Sequence, residues 1–168
     1  MSDNTIAIGN NAGQTFQGSN AIAIGTNAGQ DNQGPFATAI GSNAGNENQG
    51  IGAIAMGLNA GQNDQGPFSI AIGTEVINGG NSSIGIGAYA NVRSSNTIVL
   101  NGTGTNLASI MDGTLLIAPI RPSGFPISIL GYNTVTSEVT SYSAHASDIQ
   151  TICERLDALE KALKMTTS

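Results

Sequence analysis

The side chains able to do chemistry are few and far apart. The only histidine, His145, sits in a polar linker. No serine or cysteine is held at a spacing that would make it a nucleophile with an adjacent base. The only cysteine, Cys153, cannot build an internal disulfide framework; it reads as a half-buried thiol beside a helical seam. Asp31 and Glu47 share one position of a repeat and Asp64 is shifted by one. Acids stacked in turns could hold a weak Ca²⁺, but a hard cation needs several converging oxygens and no Asp-x-Asp-Gly loop is present. Spacing alone leaves open a carboxylate pair of the glycosidase kind, formed across coils or chains. The reading is a chain with no catalytic, cofactor-binding or metal-ligating residues, and not an enzyme.

What must position these residues is a repeat. Aligned on its terminal glycine, one phrase recurs at Gly9, Gly25, Gly41, Gly57, Gly73 and Gly87, four steps of 16 residues and then one of 14. Such a period marks a solenoid. Before each glycine, large apolar and small residues alternate, as in Ile22, Ala23 and Ile24. A period of two belongs to a strand and excludes a helix. After the glycine come an Asn-Ala-Gly corner at 11–13, 27–29, 43–45 and 59–61, then Gln17, Gln33, Gln49 and Gln65, each followed by glycine. Each copy thus reads as one coil of a parallel β-roll.

Stacked at about 4.8 Å per coil, equal positions form columns. The expected core column is Ile8, Ile24, Ile40, Met56, Ile72 and Ile86, continued by Leu100, beside a second of Ile6, Ile22, Thr38, Ile54, Ile70, Ile84 and Ile98. The opposite face, Ala7 to Ala71 and Gly85, is small enough for another sheet or chain to approach. Asn11, Asn27, Asn43 and Asn59 are expected to form an amide ladder. Phe36 and Phe68, each after Gly-Pro, are expected to pack as caps over strand ends. Between Gly73 and Gly87 the roll is expected to tighten or change contour.

The 14-residue copy, Asn81 to Ala90, resembles the head repeat of trimeric autotransporter adhesins, with its Ser, Ile/Val-Ala-Ile-Gly core and Ala-x-Ala tail. The longer copies are similar to it with two residues added in the outer turn. The resemblance covers about the first 60% of the chain. It implies a left-handed parallel β-roll, three chains about one axis, and names no partner. Further on, Ala118 to Arg121 and Leu130 to Val139 resemble the neck near the end of tail-fibre and large-virus fibre proteins. Adhesins of that kind carry an export signal and a membrane barrel, and here Met1 to Asn4 open directly into the repeat; the expectation is therefore either a fragment of a longer protein or a fold used by something assembled inside a cell, as virion proteins are.

Ile127 to Tyr132 and Glu138 to Tyr142 read as a hairpin. Residues 146–164 read as a helix, opened by Ser147 and Gln150 as a capping box. Ile149, Ile152, Leu156, Leu159 and Leu163 step by 3 and 4, the a and d seam of a coiled coil. Arg155 and Glu160 occupy g and e positions, and Arg155, Leu156, Leu159 and Glu160 together resemble the short motif of three-stranded coils. These seven residues are the expected trimerisation set.

The domains expected are a β-roll head over 1–101, a β-rich neck over 102–145 and a trimerisation helix over 146–168. The fold class is an all-β solenoid with a short C-terminal coiled coil. Aromatics at 4% and charged residues at 10% are too sparse for a globule of this length and suit a rod of repeats. The net charge is −6, and no Lys or Arg precedes Arg93. A nucleic-acid partner is excluded for want of a basic stripe. No apolar run approaches the ~18 residues of a membrane span. What remains is a homotrimeric fibre or spike that attaches to a host surface through a cell-surface glycan or protein receptor. Its expected place is the virion surface, with a bacterial cell surface as the alternative. Other readings are the head fragment of a bacterial surface adhesin, or a glycan-cleaving tail spike.

Overall fold

The computed structural model describes residues 4–119, 127–133, 138–144 and Glu154. The chain divides into two compact units, 1–120 and 121–168. The first contains β1 (Ile6–Ile8), β2 (Ile22–Ile24), β3 (Thr38–Ile40), β4 (Ile54–Met56), β5 (Ile70–Ile72), β6 (Ile77–Asn78), β7 (Ile84–Ile86), β8 (Ala90–Val92), β9 (Ile98–Asn101), β10 (Leu107–Ala108) and β11 (Leu115–Ala118). The second contains β12 (Ile127–Asn133) and β13 (Glu138–Ala144), an antiparallel hairpin with Ile127 opposite Ala144 and Asn133 opposite Glu138.

The first unit is a parallel β-solenoid. Its main sheet has the order β1-β2-β3-β4-β5-β7-β9-β11, every pair parallel and in the register of the repeat: Ile24 on Ile40, Ile40 on Met56. A second sheet, β10-β8-β6, forms where the coils shorten. β11 pairs along its length with β9, Leu115 on Ile98 through Ala118 on Asn101. The roll therefore runs on past residue 101, where the sequence suggested that a neck begins; the 102–112 segment is the outer part of one more coil.

The alternation is as expected, but its faces are exchanged. Ala23, Ala39, Ala55 and Ala71 are wholly buried inside the coil, facing Ala28, Ala44 and Ala60 of the opposite wall. The predicted core column points outward: Ile8 is 60% exposed, Met56 and Ile86 are 40%, and Ile24, Ile40 and Ile72 are partly exposed. The reason is the tightness of the corner. Between Ala39 and Ala44 the chain reverses through Gly41, whose carbonyl accepts from Ala44 N–H at 3.3 Å. Walls joined by so short a turn leave room for methyl groups and none for isoleucine. Where one wall loses its methyl the other grows: a Cβ on Gly85 would lie 2.9 Å from Val76 Cγ1 and Val92 Cγ2.

The corner also fixes its own residue. Gly41 has φ +125°, and a Cβ there would sit 2.5 Å from Gly57 O of the next coil. The asparagines two residues on, Asn11, Asn27, Asn43 and Asn59, all have φ of 53–55°, a left-handed conformation that asparagine tolerates better than most. Their amides form the expected ladder, Nδ2 to Oδ1 at 3.0–3.1 Å from Asn11 to Asn59.

The other end of each long coil is filled by a glutamine. Gln33, Gln49 and Gln65 are 2% exposed. Each donates from Nε2 to a strand carbonyl, that of Ile22, Thr38 or Ile54, at 2.8–2.9 Å. Gln33 and Gln49 also donate to the next glutamine's Oε1 at 3.1 Å. In the shorter coil Asn78 takes this place, donating to Ile70 O at 2.7 Å and accepting from Ser83 Oγ at 2.8 Å. One methylene fewer matches the smaller loop.

Candidate functional site: an outward apolar stripe and a step in the solenoid

The acids of the turns are structural neighbours. Asp31, Glu47 and Asn63 succeed one another as parallel bridges. Asp64 closes a ladder that runs from Asn32 through Asn48, accepting from Asn48 Nδ2 at 2.9 Å. Among the described residues no three His, Cys, Asp or Glu gather as metal ligands, and no helix is long and apolar enough to cross a membrane. His145, Cys153 and the trimerisation set Ile149, Ile152, Arg155, Leu156, Leu159, Glu160 and Leu163 lie outside the described residues.

The exchange of faces creates the first feature. Both large-residue columns stand side by side on the outer surface of the main sheet, one pair per strand, from Ile6 and Ile8 to Leu115 and Ile117. Eight strands at about 4.8 Å make a stripe ~34 Å long. Parallel register keeps it straight along the solenoid axis. Within the chain, nothing described covers it. Contiguous apolar patches beyond a few hundred Å² are uncommon on monomers and mark interaction surfaces. Phe36 and Phe68 are a second correction to the sequence reading: rather than packed caps they are 63% and 64% exposed on outer turns, although Phe68 does lie over Gly52.

The second feature is a cleft of about 520 Å³ where the 16-residue coils give way to 14. In the long coils the turns are bonded coil to coil in one register; Asp31 N–H donates to Asn46 O and Glu47 N–H to Gln62 O. At the step the pattern breaks. Gly61 N–H reaches Val76 O, and Gly66 N–H already reaches Asn78 O. Only Ile77 lies between those two acceptors, so Gln62, Asn63 and Asp64 overhang the next coil without counterparts. Among the described residues, Asn63 N–H donates to no backbone carbonyl, and the side chains of Gln62 and Asn63 have no hydrogen-bond partner.

The cleft's remaining walls come from two columns. Asn59, Glu75 and Tyr89 stack at the corner position, Glu75 and Tyr89 with φ of 54° and 59°. Here the amide ladder ends, because a carboxylate and a phenol replace asparagine. On the other side stand Ile77 and Asn91, register partners in β6 and β8, and then Asn106, just before β10. Asn91 is 5% exposed; its Oδ1 accepts from Arg93 Nε at 3.1 Å, which leaves its Nδ2 to the cleft. Asn101 pins the loop that carries Asn106, donating to Ala88 O and Thr105 O and accepting from Thr103. The sequence reading missed these residues. Their one signal was the change of period between Gly73 and Gly87, which identifies a place and not a surface.

No family model matches this chain, and neither does any curated protein or solved structure.

Proposed function

We propose that the chain is the subunit of a homotrimeric fibre or spike that attaches its bearer to a host surface. The observation that carries the reading is the outward isoleucine stripe. A stripe straight along the axis and repeated at every coil is complementary to another copy of itself. Copies joined there lie parallel and in step, burying the apolar columns between them. The number three comes from the sequence: Arg155, Leu156, Leu159 and Glu160 have the pattern of three-stranded coils, and the copy from Asn81 to Ala90 resembles the trimeric adhesin head. The resemblance of Ala118 to Arg121 and Leu130 to Val139 to fibre necks favours a virion as the bearer, with a bacterial cell surface as the other setting. The outer turns and the step cleft then face outward in triplicate, and weak contacts gain by avidity. A single carboxylate in the cleft, where glycoside hydrolysis uses two, favours attachment over cleavage.

Labelled protein of all 168 residues, applied to a panel of bacterial and animal cells and read by flow cytometry, tests this function. The expected outcome is that at least one cell type is stained, and that a variant made monomeric by Ile24→Asp with Ile72→Asp stains it at least about tenfold more weakly. Equal staining by the two forms, or none by either, contradicts the proposal.

A further inference from the structure

From the geometry of the step cleft we infer a binding site for a neutral pyranose sugar, one or two residues of an uncharged oligosaccharide. The inference rests on the attachment reading and names the ligand that this site would take.

A pyranose offers adjacent hydroxyls, each both donor and acceptor, along its edge, and a C–H face above and below its ring. Primary amides match such an edge because each presents a donor pair and an acceptor. Gln62, Asn63, Asn91 and Asn106 all line one cavity. In the preceding coils the amides at the Gln62 position are spent on one another, Gln30 donating to Gln14 and Asn46 to Gln30. At the step Gln62 has no such partner among the described residues. Asn91 makes the floor specific: it is almost wholly buried, and Arg93 Nε on Oδ1 fixes which end of the amide faces in.

The non-amide groups refine the class. Glu75 can accept from two neighbouring hydroxyls, while Tyr89 and Ile77 offer apolar surface to the C–H face. No Lys or Arg lines the cleft, and Glu75 is the one charged residue on its wall. Its carboxylate disfavours acidic sugars such as sialic acid or sulfated units, although Arg93, bonded through Nε to Asn91, keeps its positive charge just outside the lining. The volume of about 520 Å³ lies within the ~300–1,000 Å³ usual for ligand pockets. The fold supplies rigidity: the residues sit on stacked coils, with Glu75 N–H held by Leu58 O and Tyr89 N–H by Thr74 O.

The test is a panel of di- to tetrasaccharides built from neutral hexoses and N-acetylhexosamines, with sialylated and sulfated counterparts, measured against the full chain by saturation-transfer NMR and calorimetry. The expected result is binding of at least one neutral member. Glu75→Gln and Tyr89→Ala, both exposed positions, should each weaken it roughly tenfold, the loss of one or two good contacts. Glu47→Gln, an acid on the same wall outside the cleft, should leave it unchanged. Circular dichroism of each variant separates lost binding from lost fold. Binding of acidic members alone, of none, or with full strength in folded Glu75→Gln and Tyr89→Ala overturns the inference. Should labelled protein still stain cells while no sugar binds, this site fails and the attachment function stands.

Discussion

Gly41 and Gly104 show how differently two glycines of one chain are constrained. Gly41 is at φ +125° with the backbone of Gly57 where a side chain would go; Gly104 is at φ +70° with nothing within 4 Å. Gly41→Ala is expected to cost about 3 kcal/mol or more, since the backbone of the next coil at Gly57 must move. Gly104→Ala should cost about 1 kcal/mol, the strain of a left-handed alanine. Urea denaturation of the two variants checks the contrast; equal losses would mean that the coil contact at Gly41 is not a constraint. At this scale the sequence was candid. Asn11, Asn27, Asn43 and Asn59 announce their ladder because an amide is both donor and acceptor and recurs at each coil. The inward face was not legible from residue size. The usual rule sends isoleucine inside and tolerates alanine anywhere, whereas a wall-to-wall gap set by the Gly41–Ala44 corner admits methyl groups alone.

The elements are held by side chains as much as by strands. β1 to β5 are three residues each, too short to specify their own stacking, so the buried glutamine column carries part of that work. Gln49 donates to Thr38 O and to Gln65 Oε1 and accepts from Gln33. Gln49→Leu removes these three and a longer bond to Ala53 O, and strands buried partners on both sides. A loss of about 3 kcal/mol is expected, at roughly 1–3 kcal/mol per buried group left unmade. Gln14→Ala, at the exposed start of another amide column, should stay within about 0.5 kcal/mol. Thermal unfolding of both variants decides, and a harmless Gln49→Leu would show that the column fills space without bearing load. Period and glutamine spacing made the strands and their parallel register readable. The cleft was not readable, because it arises from what a shortened coil leaves uncovered: Gln62 looks like its ladder-bound equivalents Gln14, Gln30 and Asn46 until the hydrogen bonds of Gly61 and Gly66 show three residues overhanging one. The extension through β11 escaped notice for a related reason, since no glycine follows Ala118 to mark the copy.

For the whole molecule, the account turns on what happens to the isoleucine stripe. Among the described residues it has no cover, and it is the apolar surface that repeats in register at every coil. The claim is most directly tested by the mass in solution of the full chain at micromolar concentration, measured by sedimentation equilibrium beside the Ile24→Asp, Ile72→Asp variant. The account predicts a particle of three 16.9 kDa chains for the natural sequence, and a folded monomer for the variant, because those side chains lie outside the coil. A natural chain that sediments as a monomer, or a variant that unfolds rather than dissociates, would contradict it.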